Sequence, residues 1–312
     1  MKVASKPVTP VRWLPTRRVF LQASGYAVAG WVAGGPLALA NAAGSKPLLR
    51  FGLVTDAHYA DTDAKDVRFY RESLTKMAEC VALMNAQKVD FLIELGDFKD
   101  QGKPATEKST LAYLAAMEQA FAQFRGPRYH VLGNHDTDSL SKAQFLAQVE
   151  NTGMAKDAKY YAFDAQGVHC VVLDANYNAD GTDYDHGKFK WTEAYLPEQE
   201  LTWLKADLAA TSKPVLVFVH QLLDTEDVHA VRNAPQVRQL LQGSGKVLAV
   251  FQGHFHAGGY RRIEGIHYYT LKALIEGSGA RNNAYALVEL AKSGDITITG
   301  YRRAVSKKLP KN

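Results

Sequence analysis

Leu53-Val54-Thr55-Asp56-Ala57-His58 is an apolar run that stops abruptly on a carboxylate and an imidazole. The same event recurs along the chain. The run from Phe91 to Leu95 ends in Gly96-Asp97, and Tyr129 to Leu132 ends in Gly133-Asn134-His135-Asp136. Val215 to Val219 ends in His220, and Val247 to Phe251 ends in Gln252-Gly253-His254-Phe255-His256. Short apolar runs bounded by turn residues read as buried strands. Five strand ends therefore deliver carboxylates, imidazoles and one amide, and in open α/β sheets ligands bind outside the carboxyl ends of the strands.

Around these runs the pattern alternates. Strands are predicted over 49–55, 90–95, 128–132, 168–173, 215–219 and 247–251, with helical spacing over 67–85, 106–124, 142–150 and 198–209. Pro197 suits the first turn of the last helix. Beyond residue 260 only strands are predicted, over 266–271, 284–290 and 296–301. Alternating β and α followed by a strand-rich tail predicts an α/β protein with mixed sheets. The longest stretch without a pattern, 176–195, is a candidate functional loop.

The formal net charge of +5 suggests a nucleic-acid partner until it is located. Lys2, Lys6, Arg12, Arg17 and Arg18 all lie in the first 42 residues, which contain no Asp or Glu. Without those five, 32 basic residues face 32 acidic ones, and a neutral body with no recognisable binding motif excludes nucleic-acid binding by charge. Residues 1–42 themselves read as an export signal. Arg17-Arg18-Val19-Phe20-Leu21 precedes a Gly/Ala-rich apolar stretch, and Ala40 and Ala42 frame an A-x-A cleavage site. Adjacent arginines followed by Phe-Leu resemble a twin-arginine signal, which predicts the Tat export machinery as a partner and a periplasmic or secreted bacterial protein without a stable membrane anchor. Cys80 and Cys170 read as two buried small hydrophobes, with a disulfide as the alternative.

The strand-end residues have one chemistry in common. Two divalent ions about 3.5–4 Å apart can clamp an in-line phosphoryl displacement. Such a pair needs a bridging carboxylate, for which Asp97 on its glycine turn is the candidate. Imidazole and carboxylate donors suit manganese, iron or zinc, and the absence of thiolates argues against a structural zinc site.

The set D-x-H, G-D, G-N-H-D, H and G-H-x-H, in that order, resembles the calcineurin-like metallophosphoesterases over residues 49–303. The resemblance implies two mixed β-sheets packed face to face and flanked by helices, in one domain over 43–312. It implies one metal on Asp56, His58, Asp97 and His256, and a second on Asp97, Asn134, His220 and His254. A hydroxide shared by the metals would attack phosphorus, and His135, oriented by Asp136, would assist the leaving group.

A narrower similarity, carried by Tyr59-Ala60-Asp61, the run from Arg68 to Leu74, His254-Phe255-His256-Ala257-Gly258-Gly259-Tyr260, Glu276-Gly277 and Asn283-Ala284-Tyr285, is to the manganese-dependent ADP-ribose/CDP-alcohol diphosphatases. That subgroup has Gln where this chain has His58. The implied substrate is a small-molecule phosphoester: a nucleoside diphosphate-linked compound, a phosphodiester or a phosphomonoester. A metal-binding sensor without turnover is the competing reading, and the intact His135-Asp136 pair speaks against it. Outside this set, His130, His169 and His267 read as packed or surface residues, while His229 could reach a substrate. Arg68, Arg71 and Arg232 are candidate phosphate contacts, Tyr177 and Tyr184 candidate stacking partners, and Trp191 and Trp203 core.

Overall fold

The computed structural model describes residues 46–311, so the leader and its cleavage site lie outside the described residues. Among the described residues there are twelve strands and five α-helices, and they include each of the nine predicted strands and four predicted helices. They are β1 (Leu49–Val54), α1 (Ser73–Gln87), β2 (Phe91–Glu94), α2 (Glu107–Phe121), β3 (Arg128–His130), α3 (Lys142–Gln148), β4 (Tyr161–Ala165) and β5 (Val168–Val172). Then come α4 (Glu198–Ala210), β6 (Val215–Val219), α5 (Ala234–Ser244), β7 (Val247–Gln252), β8 (Gly259–Ile263), β9 (Ile266–Thr270), β10 (Ala284–Leu290), β11 (Ile296–Arg302) and β12 (Lys307–Leu309).

The strands form two six-stranded mixed sheets, ordered β12-β11-β10-β1-β2-β3 and β4-β5-β6-β7-β9-β8. In the first, β1, β2 and β3 run parallel; in the second, β5, β6, β7 and β9 do. Side-chain alternation separates the layers. Phe51, Leu53, Phe91 and Ile93 of the first sheet meet Leu216, Phe218, Ala249 and Phe251 of the second in the core between them. The opposite faces carry Val54 and Leu92 against α1, α2 and α3, and Val217 and Val250 against α4 and α5. Central strands buried on both faces need apolar residues at every position, which is why they are legible as continuous runs.

Phe51 sits at the middle of this interface, stacked on Phe91 at 4.8 Å and edge-on to Phe218 and Phe251 at 5.6 and 5.4 Å. Phe51→Ala is expected to cost about 3–5 kcal/mol, read as a lower urea midpoint at an unchanged m-value. A loss under about 1 kcal/mol would mean that this cluster does not hold the sheets together.

Several expectations are corrected. Helix α1 begins at Ser73, not Val67, because 65–68 close a tight turn: Lys65 pairs with Arg68, Arg68 pairs in turn with Glu276, and a 3-10 turn follows at Tyr70–Glu72. Pro197 stands at the N-cap of α4, one position before the first turn. Helix α5 lies outside the predicted segments; Val237 and Leu241 bury one turn apart on the second sheet. Strand β8 also escapes the pattern: as an edge strand it exposes Arg261 and Arg262 and pairs only with β9. Cys80 and Cys170 are free, buried in separate core layers. No helix among the described residues is long and apolar enough to cross a membrane.

Candidate metal centre

Because β1, β2, β3, β6 and β7 all end at one rim of the sandwich, their five C-terminal loops converge. Asp56 and His58 follow β1, Asp97 follows β2, Asn134 follows β3, His220 follows β6, and His254 and His256 follow β7. Turning a side chain from the strand direction into this rim takes unusual backbone. Asp56, His58, Asp97 and His254 have φ of 51°, 45°, 55° and 63°, in the left-handed region that non-glycine residues enter at a cost. Two glycines allow the loops to interleave. A Cβ on Gly133 would stand 2.1 Å from the Asp97 backbone nitrogen, and one on Gly253 would stand 2.1 Å from Thr55 Oγ1.

Six of the seven predicted donors fall into two clusters around Asp97, and Asn134 lines the same cleft as Asp97. His58 Nε2 lies 3.7 Å from Asp56 Oδ1, 3.5 Å from Asp97 Oδ2 and 3.1 Å from His256 Nε2. On the other side, His220 Nε2 lies 3.2 Å from the same Asp97 Oδ2 and 3.2 Å from His254 Nδ1. Both clusters share one carboxylate oxygen. Each acid spends its other oxygen on the protein. Asp56 Oδ2 accepts from the Thr55 hydroxyl at 2.6 Å and the His254 N–H at 3.1 Å, and Asp97 Oδ1 accepts from the His135 N–H at 2.8 Å.

Three imidazoles are oriented from behind. His220 Nδ1 donates to the Leu95 carbonyl at 2.7 Å, while His58 Nδ1 meets Asp100 at 3.2 Å and His256 Nδ1 meets Glu276 at 3.1 Å. A proton held on Nδ1 turns the Nε2 lone pair toward the cluster, as in metal-ligating histidines. Asp56 Oδ1 and Asn134 Oδ1 are buried without a hydrogen-bond partner. Buried polar atoms are rarely left unpaired, and acceptors facing acceptors need a cation between them. The donor set therefore fits a pair of divalent ions.

Electrostatics agree. Burial disfavours a charged imidazole at His220 and His256, but Asp97 and Asp56 at the first and Asp56 and Glu276 at the second more than reverse it and push both up to about 9. Burial would likewise raise the Asp97 carboxyl, yet His220, His135 and His58 hold it well below the usual range. Such a site attracts positive charge, and a metal would displace those protons.

His135 borders this centre, with a ring nitrogen within 4.8 Å of donor atoms of both His58 and Asp97. Its orienting acid is not Asp136. The Asp136 carboxylate is fully buried and accepts from the N–H groups of Gly133, Asp97, Phe98 and Lys99 at 2.8–3.3 Å, so it organises the loops that carry Asp97 and Asn134. His135 Nδ1 instead meets Asp138 Oδ2 at 2.7 Å, with Asp100 at 3.7 Å. Burial favours the neutral ring, but Asp97, Asp138 and Asp100 hold the His135 pKa well above the ordinary histidine range.

The family model for calcineurin-like phosphoesterases matches residues 49–258. The chain belongs to that family. This phosphoesterase is a metal-dependent phosphoric ester hydrolase by that membership, and its two-sheet fold is that of the metallophosphatases. It is 27% identical over 280 residues to a manganese-dependent ADP-ribose/CDP-alcohol diphosphatase of Oryza sativa, covering 76% of this chain and 86% of that one. It is 24% identical to a probable cyclic nucleotide phosphodiesterase of Fibrobacter succinogenes, covering 68% and 74% of the two chains. Among solved structures, a dimetal phosphatase from Danio rerio superposes with a TM-score of 0.74 at 21% identity, covering 86% of this chain and all of that one (100%).

A cleft of about 560 Å³ opens over the phosphoesterase's donor cluster, lined by Lys65, Arg68, Tyr70, His135, Trp191, His229 and Glu276 among others. Arg68 and His229 thus stand where a substrate would. Arg71 is taken up by Asp61 and Asp63 on the surface, and Arg232 donates to the Thr192 carbonyl. Tyr177 and Tyr184 are not stacking partners: both are buried, the first under the Lys142 ammonium and the second against Phe189. Trp191, expected in the core, is 42% exposed at the cleft. His130 is buried between Glu94 and Glu118, whereas His169 bridges Asp164 and Asp207 near the surface. Their partners distinguish these histidines from the donors: His130 is the last residue of β3, but both its ring nitrogens are taken by glutamates, and His169 lies inside β5 between two aspartates.

Proposed function

We propose that this phosphoesterase holds two divalent cations, manganese first among them, one on Asp56, His58, Asp97 and His256 and the other on Asp97, Asn134, His220 and His254. We propose further that it cleaves the phosphoanhydride of a nucleoside diphosphate-linked small molecule. The observation that carries the reading is the sharing of Asp97 Oδ2 by two donor clusters, 3.5 Å from His58 and 3.2 Å from His220. The substrate class rests on the similarity to the diphosphatases.

When bound, the two cations supply Lewis-acid polarisation of the phosphoryl group and activation of water at neutral pH. The chain does the rest. Asp100, Glu276 and the Leu95 carbonyl fix the three Nε2 donors. Asp136 clamps four amides so that Asp97 and Asn134 keep their register. His135, charged and oriented by Asp138, stands ready to donate its proton to the departing oxygen.

The test is the full chain reconstituted with Mn²⁺ and assayed on ADP-ribose, CDP-choline and bis-p-nitrophenyl phosphate, with metal counted in parallel. Near two metals per chain and turnover of the nucleoside diphosphate compounds, abolished by chelation and restored by Mn²⁺, is the expected result. Stoichiometric metal without turnover of any ester would overturn the hydrolase reading and leave a binding protein.

A further inference from the structure

Large exposed apolar side chains are scarce among the described residues, and their distribution is uneven. Val67, Trp191, Val228 and Phe255 line the cleft or adjoin residues that do, and only Val305 lies elsewhere. Exposed aromatic surface gathered at one mouth marks a binding region rather than incidental exposure. Three of the rings are arranged as a wall at the His254 end. The Trp191 and His229 centroids are 5.6 Å apart, His229 and Phe255 are 5.1 Å apart, and Trp191 and His229 each lie 5.5 Å from His254.

The wall is built rather than loose. Arg232 donates through Nε to the Thr192 carbonyl at 2.7 Å and through its backbone N–H to Ala194 at 2.8 Å, tying the Trp191 loop to the His229 loop. The Tyr184 hydroxyl holds the Lys190 carbonyl at 3.0 Å, and Asp227 accepts from the His229 N–H at 2.8 Å. A loop whose backbone is held on both sides of Trp191 while the indole stays 42% exposed keeps a face open for a planar partner. At the His256 end the lining is charged instead: Lys65 and Arg68 line the cleft together with Asp66 and Glu276, and the Arg68 guanidinium lies 4.0 Å from Asp100.

We propose that Trp191, His229 and Phe255 form a subsite for the planar heteroaromatic ring of the substrate, and that Arg68 and Lys65 face its anionic remainder. This rests on the proposed hydrolysis of nucleoside diphosphate-linked compounds and adds how the nucleoside is told from other phosphoesters. Every base presents a π-face, so stacking selects for a ring without choosing among bases.

The test is calorimetric binding of AMP and of ribose 5-phosphate, which differ by the base alone, to the Mn²⁺-reconstituted full chain. The unaltered protein is expected to bind AMP roughly 10- to 100-fold tighter, the range that base–aromatic stacking supplies. Trp191→Ala should bring the two affinities within about twofold with metal content unchanged, and Trp191→Phe should regain most of the preference. A protein with no preference for AMP, a Trp191→Ala variant that keeps it, or a Trp191→Phe variant no better than alanine would each overturn the subsite. If those results accompany ester hydrolysis, the subsite falls alone. If no ester is hydrolysed while the AMP preference behaves as expected, the hydrolase reading falls and the subsite stands.

Discussion

Asp97→Ala is expected to lose both metals and bring hydrolysis to background. One oxygen of Asp97 serves both donor clusters, so its removal strips a negative donor from each at once. Loss of an outer-shell partner alone typically lowers metal affinity about 10–100-fold, and a shared ligand should cost more than that. The variant also strands the His135 N–H that Asp97 Oδ1 accepts, a penalty of about 1–3 kcal/mol for a buried unsatisfied donor. For that reason circular dichroism must accompany the metal count. Asp97→Asn provides a second measurement: it tolerates the left-handed backbone at φ 55° and preserves the hydrogen-bonding shape, but it removes the charge. Metal emission spectroscopy on both variants decides the matter, and an active, metal-replete alanine variant would refute the bridging role.

His135→Ala should behave in the opposite way on metal. Its ring donates to none of the fourfold sets proposed here, so occupancy should stay near that of the unaltered protein. The turnover number should fall about 10²- to 10⁴-fold on an alkyl phosphoester, whose alkoxide leaves only with a proton, the usual contribution of a positioned acid. The loss should shrink on a p-nitrophenyl ester, whose leaving group departs without a proton. Equal losses on both substrates would show that His135 acts on binding or structure instead. Asp138→Asn should mimic His135→Ala in part, because Asp138 orients and charges the ring.

His135 takes its carboxylate partner from Asp138 and not from its sequence neighbour Asp136. Adjacency made Asp136 the natural partner of His135, but the two residues lie in a 3-10 turn spanning His135–Thr137. Three residues per turn eclipses positions i and i+3, placing Asp138 beneath the ring while Asp136 points inward to four amides. The donors themselves were legible because each ends an apolar run, and a parallel-strand rim gathers such ends whatever the loops do. Glu276 and Asp100 were not assigned roles, since an orienting carboxylate needs only to arrive behind the right imidazole and leaves no spacing in the sequence. Trp191 was misplaced for a related reason. Hydrophobicity predicts burial on average, and a ring kept in the open by Arg232 and Tyr184 depends on loop contacts that periodicity does not encode.

The donors also come from both halves of the sandwich: Asp56, His58, Asp97 and Asn134 from the first sheet, His220, His254 and His256 from the second. Each proposed cation therefore spans the interface that Phe51 and its neighbours fill from within, acting as a removable rivet across it. Loading and folding become one linked equilibrium, in which free ion at a thousand times its dissociation constant adds about 4 kcal/mol to the folded side. The supply of metal would then set how long the molecule survives as well as how fast it works.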